Sequence, residues 1–281
     1  MTINWYPGQM AKARQNIKKK LKLIDLVVEI RDARIPESSK NPEIETLLGN
    51  KPRLVILNKE DLADGEATQL WQSSLEKHDH ITTLSVSAQT RGGVRKALDF
   101  IKDFREKRQE HLTRNRPLRI MVVGIPNVGK STLVNRLSGT GRVRTGNRPG
   151  ITKGEQWIRL TSGIELLDTP GLLWPKFDNP EVAFKLAVTG AIKYELLDDY
   201  ALAVKLLEYL LEGFPNRLHE RYRLEALDLL PPEDVLQAIG RNRGALRTGG
   251  VVDIERTAEL LLVDFRLGRL GQFTLDSPPL T

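Results

Sequence analysis

Cysteine is absent from all 281 residues. Its absence removes disulfide scaffolds, cysteine-based zinc fingers, iron–sulfur clusters and thiol nucleophiles together. Long apolar runs are also missing. None approaches the ~18–20 residues of a membrane-spanning helix, and no apolar signal segment follows the start. A reducing, intracellular compartment without stable membrane association is therefore expected. The four histidines, His78, His80, His111 and His219, show no metal-ligand spacing and read as surface positions. Against these gaps, 40% of the residues are hydrophobic and 28% charged, which suits a globular protein with a real core. The length fits one large domain, or one of about 150–180 residues plus a smaller one.

The net charge of +7 is unevenly spread. It is +5 over residues 1–60, −4 over 61–90, +12 over 91–160, −2 over 161–185 and −4 over 186–281. Lys12, Arg14, Lys18, Lys19, Lys20 and Lys22 form one acid-free cluster; Arg136, Arg142, Arg144, Arg148 and Lys153 form a second. Two basic clusters in one half of an otherwise acidic chain point toward a polyanion, against the plainer reading of solvated charged faces.

Met10, Ala13, Ile17, Leu21 and Ile24 recur at helical spacing, so the first basic segment reads as an amphipathic helix. Strand-type runs follow at Leu26–Ile30, stopped by Arg31-Asp32-Ala33-Arg34-Ile35-Pro36, then at Leu54–Leu57, Thr82–Val86 and Ile120–Val123. Helical stretches at about 64–78 and 92–110 intervene, which predicts βα units and a mainly parallel sheet. Gln156–Leu160 and Ile164–Leu167 read as an antiparallel hairpin. From about 180 onward, Leu/Ala periodicities at 181–190, 198–212, 218–229, 233–240 and 253–267 predict helices without a convincing strand. The expected division is a nucleotide-binding domain over 1–177 and an all-α domain over 178–281.

Gly124-Ile125-Pro126-Asn127-Val128-Gly129-Lys130-Ser131 fits G-x-x-x-x-G-K-[ST] between a strand and a helix. The glycines let backbone N–H groups turn toward phosphates, and the helix N-terminus adds its dipole. Asn127, Val128, Gly129, Lys130, Ser131 and Thr132 are the expected phosphate-binding residues, with Lys130 reaching the β- and γ-phosphates. The Ser131 hydroxyl suits Mg²⁺, a hard ion that prefers oxygen. Asp168-Thr169-Pro170-Gly171 closes the next strand, where Asp168 can hold Mg²⁺ and Gly171 can offer an N–H to the γ-phosphate. Between them, Thr152 in Gly150-Ile151-Thr152 is the candidate switch threonine, ligating Mg²⁺ and contacting the γ-phosphate. Thr140, Thr145 and Thr161 compete for that assignment.

Leu54–Leu57 leads into Asn58-Lys59-Glu60-Asp61. Guanine presents two donors that one carboxylate can accept, and Asp61 suits that task where adenine would not match it. Lys59 can lie across the base, and Asn58 can tie this loop to the phosphate loop. Ser87-Ala88, at the end of the following strand, can contact guanine O6 through a backbone N–H. The order discriminates: Asn58–Asp61 and Ser87-Ala88 precede the phosphate loop, where ordinary small GTPases place them after it. A parallel sheet reconnected at its termini keeps its site, so the order reads as circular permutation.

With those motifs, Trp5-Tyr6-Pro7-Gly8-Gln9-Met10-Ala11-Lys12-Ala13, Asp32-Ala33-Arg34-Ile35-Pro36, Arg148-Pro149-Gly150-Ile151-Thr152 and the run from Asp168 to Pro175, the chain resembles the circularly permuted GTPases. It is most similar to their ribosome biogenesis GTPase A (YlqF-type) group, over essentially its whole length. The resemblance implies a permuted P-loop GTPase domain followed by an all-α domain that helps bind ribosomal RNA. It further implies a cytoplasmic or organellar assembly factor for the large ribosomal subunit. The expected partners are GTP and GDP and the subunit precursor with its rRNA, met by a monomer. Zinc-bearing permuted relatives are excluded by the missing cysteines.

The chain departs from this pattern in one place. The family carries a histidine, thought to serve hydrolysis, where this chain has Gln9, and Leu172 stands where many GTPases place a water-orienting glutamine. Gln9 can orient water but cannot act as a base near neutrality; a surface or rRNA contact is the competing role. Asn127 resembles the asparagine of potassium-dependent GTPases, making K⁺ a candidate second cation beside Mg²⁺, against a purely loop-stabilising role. Other readings of the whole chain are a slow GTP-sensing RNA- or membrane-associated regulator and, less well matched, a P-loop kinase.

Overall fold

The computed structural model describes residues 15, 17–108, 116–139, 156–161, 163–169, 179–192, 198–224 and 230–278. The chain forms two compact units, Met1–Val182 with Phe273–Thr281, and Ala183–Gln272.

The first unit is built on a six-stranded sheet. Its strands are β1 (Leu26–Asp32), β2 (Arg53–Asn58), β3 (Ile81–Val86), β4 (Leu118–Val123), β5 (Gln156–Thr161) and β6 (Ile164–Asp168). Their order is β3-β2-β1-β4-β6-β5. All neighbours are parallel except β5 and β6, an antiparallel hairpin turned at Gly163. β1 and β2 are buried at every position, as central parallel strands covered on both faces must be. Residues 17–21 are helical, and beyond β1 come the helices α1 (Pro42–Leu48), α2 (Gly65–Leu75), α3 (Arg91–Arg108) and α4 (Lys130–Ser138). Apolar clusters seal them: Ile17, Leu21, Ile24, Val27, Ile44, Leu48, Met121, Val123 and Leu167 around α1, and Val55, Leu57, Trp71 and Ile81 beneath α2.

β1 continues two residues beyond the apolar run, through Arg31 and Asp32. Both charges are buried because both are paired. Glu29 accepts from Arg31 Nε (2.7 Å) and Arg53 Nη1 (3.2 Å), and Asp32 takes the Arg34 guanidinium. Helix α1 was not foreshadowed by apolar periodicity; its local signal is a cap. Asn41 Oδ1 accepts from Glu43 N (3.0 Å), and Pro42 occupies the first turn.

The second unit is helical: α5 (Pro180–Val188) enters it, followed by α6 (Asp199–Gly213), α7 (Pro215–Tyr222), α8 (Pro232–Asn242) and α9 (Ile254–Arg266). Helix α7 stops at Tyr222 with Arg223 left-handed (φ 55°), well short of the periodicity that ran to 229; residues 225–229 lie outside the described set. Leu202, Leu206, Leu210, Val235, Ile239, Leu261 and Phe265 form the buried interior. Asp264, buried among them, accepts from Arg221 Nε (2.8 Å), Arg269 Nη1 (2.9 Å) and the Tyr222 hydroxyl (3.2 Å).

Candidate nucleotide-binding site

The carboxyl ends of the parallel strands deliver Asp32, Asn58, Ser87-Ala88, Gly124 and Asp168 to one edge of the sheet. β1, β2 and β3 step outward in one direction and β4 starts again on the other side of β1. The strand order therefore switches between β1 and β4, where open α/β sheets form a ligand crevice. The phosphate loop after β4 and the Asp32–Pro36 turn after β1 flank that point.

In the phosphate loop, Gly124 has φ 148°, and a Cβ there would lie 2.5 Å from Ile30 O. Asn127 is left-handed (φ 57°). Gly129 (φ 98°) opens α4, and a Cβ on it would lie 2.2 Å from Asn58 Nδ2. Lys130, the first residue of α4, is buried and donates from Nζ to Ile125 O (2.6 Å), closing the loop on itself. Burial lowers its ammonium to about 8, while the nearby Asp168 charge pulls it upward. Ser131 and Thr132 lie half-buried in the first turn of α4, with Val128 buried beneath. Asp168 ends β6 opposite Val122, itself buried, and the Thr169 hydroxyl donates to Val122 O (2.6 Å).

Asn58 joins three loops. Its Nδ2 donates to Val128 O (2.7 Å), and its Oδ1 accepts from Ala88 N (2.8 Å), with the residue only 2% exposed. A backbone carbonyl on one side and a backbone N–H on the other leave the amide one orientation. Ser87 and Ala88 are buried, and a Cβ on Gly93 would lie 2.5 Å from Ser87 O, so α3 starts hard against this turn.

Lys59 follows in the left-handed region (φ 64°), its Nζ donating to Asp32 Oδ2 (2.7 Å). Arg34 grips the same carboxylate through Nε (3.0 Å) and Nη2 (2.8 Å). Burial alone would raise the Asp32 carboxyl; the two cations overcome it and hold it well below the usual carboxylate range. Burial lowers the Lys59 ammonium, with Asp32 opposing. Asp61 is exposed in the short 3₁₀ turn Glu60–Leu62. Gln9, Thr152 and Gly171 lie outside the described residues.

Asp32 and Arg34 entered the sequence reading only as a turn, yet they anchor Lys59. Their signal was an Asp-x-Arg pair directly after a buried strand. A second addition is the segment after α9. Phe273 and Leu275 are buried against the first unit, with Phe273 N donating to Leu62 O (3.1 Å) and Leu275 N to Arg34 O (2.7 Å). The alternation of Phe273, Thr274 and Leu275 was the available hint.

Residues 119–211 match the family described as 50S ribosome-binding GTPase. The base-loop tetrad 58–61 precedes that span, as a permuted order requires. The chain is 46% identical to the ribosome biogenesis GTPase A of Priestia megaterium, covering 99% of this chain and 98% of that protein. It is 32% identical to the Thermotoga maritima protein of the same name, covering 98% and 95%. The fold is similar to GDP-bound YlqF of T. maritima (TM-score 0.66, 27% identity, 94% and 99% covered) and to its GNP-bound form (TM-score 0.65, 28% identity, 95% and 99%).

Proposed function

The chain belongs to the ribosome biogenesis GTPase A family and hydrolyses GTP, and from that premise we propose that it is a nucleotide-dependent switch in large-subunit assembly whose turnover the ribosome stimulates. The observation that carries the site assignment is the Asn58 bridge, which locks the phosphate loop, the base loop and Ser87-Ala88 together at one sheet edge. Asn127 to Thr132 receive the phosphates, with the Lys130 ammonium on the β- and γ-oxygens; Gly171 offers its N–H to the γ-phosphate. Asp61 accepts the two guanine donors, Lys59 lies along the base, and Ser87-Ala88 faces O6.

The donor set fits Mg²⁺. The Ser131 hydroxyl stands in the first turn of α4 and the Asp168 carboxylate at the end of β6, hard oxygens suited to an ion that keeps waters and phosphate oxygens as its other ligands. Thr152 supplies a third oxygen in this reading. Among the described residues no group of three or more His, Cys, Asp or Glu is placed to hold a metal. When bound, Mg²⁺ neutralises phosphate charge. Asn127 is assigned to K⁺ beside the phosphates, which turnover compared in equal K⁺ and Na⁺ tests.

Gln9 is assigned to orienting the attacking water when the protein is bound to the subunit, and the basic residues of the N-terminal segment to rRNA. Among the described residues no helix is long and apolar enough to cross a membrane, and we place the protein in the cytoplasm as a monomer. We put the functional division near residues 177–178, with the tail Phe273–Thr281 serving the first part.

The test is GTP turnover with and without purified large-subunit precursor, for the wild type and Gln9→Ala. The reading expects precursor to accelerate the wild type and Gln9→Ala to fall back toward the unstimulated rate. No acceleration of the wild type would favour the slow GTP-sensing alternative. Equal acceleration of both proteins would remove Gln9 from hydrolysis.

A further inference from the structure

The base loop is joined to the phosphate loop and to Ser87-Ala88 through Asn58, and to β1 through Lys59. Lys59 sits in the left-handed region, and the 3₁₀ turn carrying Asp61 has no side-chain hydrogen bond at its N-cap; Leu62 N to Lys59 O (2.9 Å) and Ala63 N to Glu60 O (3.2 Å) close it. Further support comes from the far end of the chain. Phe273 N donates to Leu62 O, one residue beyond Asp61, and Leu275 N donates to the carbonyl of Arg34, whose guanidinium holds Asp32 and through it Lys59. The Asp276 carboxylate accepts from Glu37 N (2.9 Å), Ser38 N (2.7 Å) and the Ser38 hydroxyl (2.8 Å). Its carbonyl accepts from Trp71 Nε1 (3.2 Å), and Thr274 Oγ1 accepts from Asp64 N (3.2 Å). Phe273 and Leu275 are 2% and 4% exposed. The segment thus brackets both chain stretches that carry the base loop.

We propose that Phe273–Asp276 is a positioning element for guanine recognition, holding Lys59 and Asp61 where they distinguish guanine from a base lacking the 2-amino group. The proposal rests on the assignment of Asn58–Asp61 to the base. A brace that only stabilised the fold would alter the amount of active protein. A brace that sets Asp61 alters the choice of base. Binding to the phosphates does not pass through Asp61, so inosine diphosphate, which offers Asp61 only N1–H, serves as the internal reference.

The experiment measures dissociation constants for GDP and inosine diphosphate on the full chain, with titration stoichiometry reporting the folded fraction. The second donor to a carboxylate makes guanine preferred by about 10- to 150-fold in the wild type. Asp276→Ala and Phe273→Ala are expected to weaken GDP several-fold and inosine diphosphate, which keeps one donor to Asp61, by a smaller factor, shrinking that ratio. Asp276→Asn keeps an acceptor for the backbone N–H groups and should restore it. If Asp276→Ala fails to fold, the milder Phe273→Leu and Leu275→Ala give the same readout. A ratio equal to wild type in every folded variant overturns the proposal, whether both affinities stay or fall together. Asp61→Asn separates the underlying assignment: if it leaves GDP affinity intact, the base-loop reading itself is wrong and the brace falls with it. If it abolishes guanine preference while the brace variants keep it, only the brace is wrong.

Discussion

Replacing Asn58 with alanine should damage stability and nucleotide binding together, and the size of the loss follows from two bonds. In a site 2% exposed, the side chain satisfies Val128 O at 2.7 Å and Ala88 N at 2.8 Å. Alanine leaves one acceptor and one donor buried without a partner. Each such group costs about 1–3 kcal/mol, so the range is about 2–6 kcal/mol, the lower end applying if water enters the vacated space. A typical domain has a margin of about 5–15 kcal/mol, so the variant should still fold. Asn58→Asp sharpens the test. Its carboxylate still accepts from Ala88 N but turns a second oxygen toward Val128 O, setting acceptor against acceptor and burying a charge. It should therefore be worse than alanine, although it is closer in shape. Urea unfolding followed by circular dichroism gives the midpoints, and GDP titration gives affinity. A loss within about 0.5 kcal/mol for Asn58→Ala, the range of an ordinary surface change, would refute the bridge. An aspartate milder than alanine would refute the amide orientation.

Gly129→Ala places a Cβ 2.2 Å from Asn58 Nδ2 at φ 98°; it should cost about 1–3 kcal/mol in unfolding experiments and sharply weaken GDP binding. Lys130, lowered to about 8 by burial, regains its proton when phosphates arrive. GDP binding above that pH should take up a proton, and affinity should fall by up to about tenfold per pH unit. Calorimetry at pH 8.5 in buffers of different ionisation enthalpy detects the uptake, which Lys130→Arg should abolish. Asp32→Asn strands the Arg34 and Lys59 cations and should cost about 3–5 kcal/mol near neutrality. Because the Asp32 carboxyl is lowered on folding, its stabilisation is present above the unfolded carboxylate value near 4 and is lost as pH falls through the lowered one. The gap between wild type and Asp32→Asn should therefore narrow in strong acid, as thermal melts across pH would show.

The phosphate and base loops were legible because their chemistry is local: a glycine where φ is positive, a lysine and a serine opening a helix, a carboxylate at a strand end. The parallel strands were legible because burial on both faces leaves unbroken apolar runs such as Leu54–Leu57. Arg31 and Asp32 escaped because a charge reads as a strand stop unless its partner is known. Those partners, Glu29, Arg34 and Lys59, come from β1 itself and from the two loops that follow β1 and β2. α1 escaped because seven residues are too few for periodicity, although Asn41-Pro42 announced it. The docking of Phe273 and Leu275 was out of reach for another reason: it joins residues more than 200 positions apart, and a two-residue apolar alternation carries no address.

The path of the chain bears on how the protein can be taken apart. The chain leaves the first unit at residue 183 and returns to it at 273, so in covalent terms the helices are an insertion between two stretches of that unit. A stop codon after residue 182 would not release a clean GTPase fragment. It would strip Trp71 Nε1 and the Ser38 turn of their acceptors and uncover the apolar seats of Phe273 and Leu275. A faithful minimal version would keep the tail Phe273–Thr281 with residues 1–182 while discarding the helices between them.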